Sequence, residues 1–110
     1  MESHAVVLVD TAGRILFWSP GAELLFGYAA SEALGRTLDL IIPEQLRRRH
    51  WLGFHEAMGG LTGRVGGAST DLPVARKDGT TVTLAARFLA LHDTRDRALG
   101  AVGIFAPHES

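Results

Sequence analysis

The segment 80–91 alternates apolar and polar residues, and this pattern constrains the fold more than any other feature of the chain. Its apolar residues occupy every second position: Val82, Leu84, Ala86, Phe88 and Ala90. Successive side chains of a β-strand point to opposite faces, so this period predicts a strand with one face in a core. Neighbouring strands must pair with it, because the backbone polar groups of a buried strand need partners.

Four further segments have the character of strands. Residues 5–9 and 14–18 are apolar and are separated by the turn sequence 10–13, while segments 69–75 and 99–106 flank the central strand across short turns. Connections this short favour antiparallel hairpins over parallel crossovers. The chain therefore predicts one hairpin near its start and two consecutive hairpins near its end.

Helix signals lie between these two groups of strands. Ser19 followed by Pro20 is typical of a helix start, and Gly27 is placed to end that helix; a second short helix is expected from Ser31 until Gly35. The longest helix is predicted over 43–58. One stripe of this helix is formed by residues at helical spacing, namely Leu46, His50, Gly53, Phe54, Ala57 and Met58.

This order predicts an α+β fold in which short helices and one long helix cover one face of a five-stranded antiparallel sheet. His50 then lies on the buried face of the long helix. A hollow between that helix and the sheet is a usual place for a small ligand.

Composition narrows the class of function. The 110 residues are 46% hydrophobic and 21% charged, which fits one globular domain spanning 1–110, and the net charge of −1 gives no basic field for nucleic acid. The absence of cysteine excludes disulfides, thiolate metal sites and thiol nucleophiles. No nucleophile motif or paired carboxylates suggest an enzyme, and the apolar runs are too short to span a membrane, so we expect a cytoplasmic, non-catalytic domain.

Several motifs resemble the PAS family in the family's own order. They are VDTAGRI at 9–15, WSPGAELLFGY at 18–28, EALGR at 32–36 and RKDGT at 76–80. The resemblance implies strand order 2-1-5-4-3 and a sensory module that forms part of a larger signalling protein. It also implies an attached output domain of kinase, cyclase or transcription-regulator type, and a homodimer.

The segment IPEQLRRRH at 42–50 is similar to the region that carries the proximal histidine in heme-binding PAS oxygen sensors. This resemblance implies that His50 is the metal ligand of a b-type heme and that Arg64 contacts a heme propionate. Val65 and Ala68 would line the distal side. Since the chain has no cysteine, the resemblance implies no flavin-cysteinyl chromophore.

Four other residues complete the expected cofactor site. Phe54 and Met58 share the helical stripe of His50, and Phe88 lies on the inner row of the central strand. Thr70 stands, with Ala68, where those sensors place an Arg or Met to meet bound oxygen. The resemblance therefore implies heme ligation more directly than oxygen binding.

Other interpretations of the same residues stay open. His50 could be a core histidine that satisfies local hydrogen bonds, and the run 47–49 of three arginines is typical of a solvated face. A small organic acid could bind near Arg64. Alternatively, the domain could be a cofactor-free dimerisation or docking module that uses the sheet face carrying Leu89 and Leu91.

Overall fold

The computed structural model describes residues 4–58 and 69–107. Its strands form one antiparallel sheet in the order β2-β1-β5-β4-β3. Their bounds are β1 Ala5–Val9, β2 Ile15–Trp18, β3 Thr70–Ala75, β4 Thr81–His92 and β5 Ala98–Pro107. The predicted α+β fold and strand order are confirmed, and each strand begins and ends within one residue of its predicted bounds.

Three α-helices lie in the described ranges: α1 Pro20–Phe26, α2 Ala30–Ala33 and α3 Arg47–Met58. Helix α1 begins and ends at the predicted signals. The Ser19 hydroxyl accepts a hydrogen bond from the Ala22 amide (3.1 Å), and Gly27 takes a left-handed φ of 89° at the other end. The same hydroxyl accepts from the Val6 amide (2.8 Å), so the helix cap also ties α1 to β1.

The long helix is shorter than predicted because its start lies at Arg47 instead of Pro43. Pro43 is extended (ψ 140°), and Glu44–Leu46 form a 3₁₀ turn closed by a hydrogen bond from the Leu46 amide to the Pro43 carbonyl (2.9 Å). The Arg47 side chain then donates to the carbonyl of Ile42 (3.1 Å). The 3₁₀ turn uses the Pro43 carbonyl and the Leu46 amide, which would take part in α-helical hydrogen bonds if α3 extended back to Pro43. The helix α3 therefore has 12 residues.

The hydrophobic core lies between α1 and the inner face of the sheet. Phe26 is fully buried and packs against Phe105 at 5.2 Å and Trp18 at 5.3 Å between ring centroids. The inner row of β4 contributes Leu84 and Ala86, both buried, as the alternation predicts. None of the helices in these two ranges is long and apolar enough to cross a membrane.

Trp51 attaches α3 to the turn between β1 and β2. Its indole Nε1 donates to a carboxylate oxygen of Asp39 (2.7 Å), and its six-membered ring lies against Gly13, where a Cβ atom would overlap the ring. Gly13 also has a left-handed φ of 82°. The turn therefore needs glycine at this position for two reasons, its backbone conformation and its contact with Trp51.

We expect Gly13→Ala to lower the free energy of unfolding by about 2–4 kcal/mol, because a left-handed alanine costs about 1 kcal/mol and overpacking costs about 1–3 kcal/mol more. Gly35→Ala is the matched control, since Gly35 has a similar φ of 85° but open space around its Cα. The difference between the two variants in the free energy of unfolding, measured by urea denaturation, gives the contribution of the contact with Trp51. Equal losses would show that Trp51 does not press on this turn.

Candidate functional site

Two adjoining cavities lie beside α3 in the described part of the chain. The first has a volume of about 300 Å³ between α3 and the inner face of β1, β4 and β5. The second has about 540 Å³ and lies between β3 and two 3₁₀ turns, Leu38–Ile41 and Glu44–Leu46. Both are lined by Leu38, Arg49, His50, Phe88 and Phe105. The hollow predicted between the long helix and the sheet is therefore present, and its volume is in the range of small-molecule sites.

Small residues on the sheet leave room for the first cavity. Ala90, Ala101 and Gly103 line its floor. Gly103 is paired with Phe88, and a Cβ at Gly103 would lie 3.0 Å from the Phe105 ring and 3.2 Å from the Phe88 ring. The missing side chain lets these two rings pack edge to face, at 5.7 Å, above the backbone.

The lining of the first cavity is almost entirely apolar. Arg49 and His50 are the residues there that carry polar side chains, and Asp71 joins them in the second cavity. Few polar groups on an apolar wall are typical of a site that orients a largely hydrophobic ligand.

His50 lies in the first turn of α3 and is half-buried. Its Nδ1 atom is buried and has no hydrogen-bond partner among the described residues. The imidazole packs against Trp51 (4.7 Å, edge to face) and is stacked with Phe54 (6.0 Å). The interpretation of His50 as a core histidine satisfied by local hydrogen bonds is not supported at this nitrogen.

Burial lowers the pKa of His50, because removal from water disfavours the charged imidazolium. The carboxylate of Asp39 opposes this effect and raises the pKa, while His55 lowers it slightly further. The net direction is downward, so the neutral imidazole is the favoured form at pH 7. A neutral ring has a lone pair on one nitrogen, which is the form that binds a metal.

The structure brings four of the predicted site residues together. His50, Phe54, Met58 and Phe88 all line the first cavity. Thr70 does not join them: it lies opposite Ala86 on the same row of β3 as Leu72 and Val74, but at the exposed start of this edge strand it lines neither cavity. Arg64, Val65 and Ala68 lie outside the described residues, as does the glycine-rich segment 59–67.

Sequence reasoning missed three residues that line both cavities, namely Leu38, Arg49 and Phe105. Phe105 falls in the same inward row of β5 as Ala101 and Gly103, so period-2 alternation over that strand could have found it. Arg49 belongs to the arginine run that is interpreted above as a solvated face. It nevertheless lies three residues after Leu46 and four before Gly53, on the stripe that lines the cavities. Because arginine is charged, the sequence alone favours a solvent-exposed interpretation even at this position of the stripe.

The curated proteins with matching segments include two sensor proteins. Oxygen sensor protein DosP of Escherichia coli (strain K12) is 34% identical over 76 residues, which are 69% of this chain and 10% of DosP. Sensor protein FixL of Bradyrhizobium diazoefficiens is 39% identical over 46 residues, 42% of this chain and 9% of FixL. The chain thus spans about a tenth of the length of these relatives.

Solved structures share the fold at lower identity. The PAS domain of a Colwellia psychrerythraea protein superposes with a TM-score of 0.82 at 21% identity, covering 96% of this chain and 86% of that one. The light-oxygen-voltage domain of the blue-light photoreceptor Aureochrome1 gives a TM-score of 0.74 at 21% identity, with 96% and 76% coverage. These likenesses show the fold alone.

The comparison with protein families matches residues 3–107, nearly the whole chain, to the PAS fold. That match agrees with the observed strand order and with the motifs in the two hairpins and α1. The chain belongs to the PAS family.

Proposed function

We propose that this PAS domain is a sensory module that binds a b-type heme through His50 and passes the occupancy of its cavity to an attached output domain. The observation that carries the proposal is the half-buried imidazole of His50, which lines an almost entirely apolar cavity and has a buried nitrogen without a partner among the described residues. The resemblance of segment 42–50 to heme-binding PAS sensors supports the same residue.

The donor set fits an iron porphyrin. No group of three or more His, Cys, Asp or Glu that could hold a metal ion occurs in residues 4–58 and 69–107, so His50 offers a single protein ligand. One axial ligand is enough for a metal already held by a macrocycle. Bound heme would supply an iron centre that takes a small molecule, while Phe54, Met58 and Phe88 exclude water beside it.

The cavity is less well suited to a flavin. A flavin ring presents imide and carbonyl groups that amide side chains can match with both donors and acceptors. This sequence contains no asparagine, and its single glutamine, Gln45, is exposed and lines neither cavity. The largely apolar lining therefore favours heme over the flavin that the light-oxygen-voltage likeness would suggest.

The signalling part of the proposal rests on the relatives and on α3. DosP and FixL are named as sensors, and this chain matches only a tenth of each, which supports a sensing domain joined to other domains. A kinase, cyclase or transcription regulator fits the output role. Trp51 offers a route for the signal, because it contacts the His50 ring and also the β1–β2 turn.

A cofactor-free dimerisation module is the second candidate, and the outer face of the sheet supports it. Four apolar residues stand in one cross-strand register on that face: Phe17 opposite Leu8, Leu8 opposite Val102, and Val102 opposite Leu89. Phe17 and Leu89 are 48% and 42% exposed. A row of apolar side chains across four strands is a surface that a second copy of the sheet could cover.

Reconstitution with hemin tests the first candidate. The wild-type domain is expected to give a Soret band typical of a histidine-ligated heme. His50→Ala is expected to change this band and weaken binding by at least about 10-fold, because loss of even an outer-shell partner of a ligand costs about 10–100-fold. His55→Ala is the control, because His55 is exposed on the same helix and lines neither cavity. A wild type without a Soret band, or identical spectra for both variants, would contradict heme ligation by His50.

The lowered pKa of His50 gives a pH dependence in the heme-free domain. Its imidazole should titrate below the ordinary histidine value of about 6.5 in an NMR titration. Between the folded and unfolded pKa values the unfolded chain binds more protons, so stability falls as pH drops below about 6.5 and levels off below the folded pKa. His50→Gln should remove this part of the pH dependence in urea denaturation. A folded pKa at or above the ordinary value would refute the burial argument.

Sedimentation of the heme-free domain tests the second candidate. If the outer face mediates dimerisation, Phe17→Lys should weaken self-association at least about tenfold, because it places a charge in an apolar contact. Leu52→Lys is the matched control, since Leu52 is 65% exposed on α3, away from the sheet face. A monomeric wild type at high concentration, or equal effects of both substitutions, would count against this candidate.

A further inference from the structure

The three consecutive arginines that open α3 have different environments. Arg47 is half-buried, and its guanidinium donates hydrogen bonds to the backbone carbonyls of Ile42 (3.1 Å) and Asp39 (3.3 Å). Its Nε atom also lies 3.9 Å from the Asp39 carboxylate. It closes the connection that leads into the helix. Arg47 is therefore not available to a ligand.

Arg48 and Arg49 are both exposed, and neither forms a hydrogen bond or ion pair within the described ranges. They differ in one respect. Arg48 lines neither cavity, whereas Arg49 lines both. An arginine that is exposed and also lines two adjoining cavities lies where they open to solvent.

Among the described residues, Asp71 and His50 are the other titratable groups that line the cavities, and neither places a charge where the first cavity opens. Asp71 lines the second cavity but not the first, and it already has an interaction of its own. His50 is favoured in its neutral form by burial. Among the described residues, the first cavity thus combines an apolar interior with the positive charge of Arg49 at its mouth. A guanidinium recognises a carboxylate through two parallel hydrogen bonds.

We propose that Arg49 binds the carboxylate of a ligand whose apolar body fills the cavity beside His50. This inference deepens the proposed function, because heme is such a ligand, with its propionates as the carboxylates. An apolar organic acid would share the same chemistry. The assignment differs from the one implied by family resemblance, in which Arg64 contacts the propionate.

Binding of hemin and of hemin dimethyl ester to the full chain tests the proposal. Arg49→Gln is expected to weaken hemin binding by about tenfold, the loss typical of a partly solvated charge-assisted hydrogen bond. The ester has no free carboxylate, so its affinity should change by less than about twofold. Arg48→Gln removes the same charge from the same helical turn and should leave both ligands unaffected. Equal losses in the two variants, or the same loss with the ester, would overturn the proposal.

A second pair of ligands separates this proposal from heme binding itself. Dodecanoate and dodecanol differ in the carboxylate alone, and calorimetry on the heme-free chain reports their binding. If hemin fails to bind the wild type, heme sensing is refuted, and a preference for dodecanoate that Arg49→Gln abolishes would still support Arg49. If neither hemin nor dodecanoate binds, or if dodecanoate binds equally well without Arg49, the role of Arg49 is refuted.

Discussion

The contact between Trp51 and Gly13 sets the position of α3, and the candidate site depends on that position. The indole is held at its nitrogen by Asp39 and at its ring by the backbone of the β1–β2 turn. A large rigid ring with two χ angles is well suited to this role. Because Trp51 directly follows His50 in α3 and its ring contacts the imidazole, we expect a displacement of the indole to displace His50 as well.

The cavity results from this attachment together with the small side chains on the sheet. Protein interiors usually close gaps, since a void forfeits dispersion contacts on its walls. Here the helix cannot settle onto Ala101 and Gly103, because Trp51 holds its first turn against the hairpin while Phe88 and Phe105 occupy the sheet beneath. A ligand of suitable shape would supply such contacts, and the apolar lining favours an apolar molecule.

Local patterns in the sequence predict the strands and α1 well but predict the site only in part. Alternation over 80–91 and the capping pair Ser19-Pro20 depend on neighbours in the chain, and both are confirmed. The predicted start of α3 at Pro43 is wrong. The 3₁₀ turn that precedes the helix depends on hydrogen bonds from the Arg47 side chain to earlier carbonyls, which the local pattern does not indicate. The Trp51–Gly13 contact joins residues 38 positions apart, and nothing in the local pattern indicates it. Arg64, Val65 and Ala68 stay predictions.

The two polar groups of the first cavity have opposite relations to water, and this difference limits what the cavity can bind. Burial keeps His50 neutral, so its free lone pair faces an environment with little competing solvent. Arg49 is exposed and carries a guanidinium, so it places a positive charge where the cavity meets solvent. A ligand bound by both must present an electron-pair acceptor inside and an anion at the mouth. A simple fatty acid meets the second requirement alone, whereas an iron porphyrin with propionates meets both.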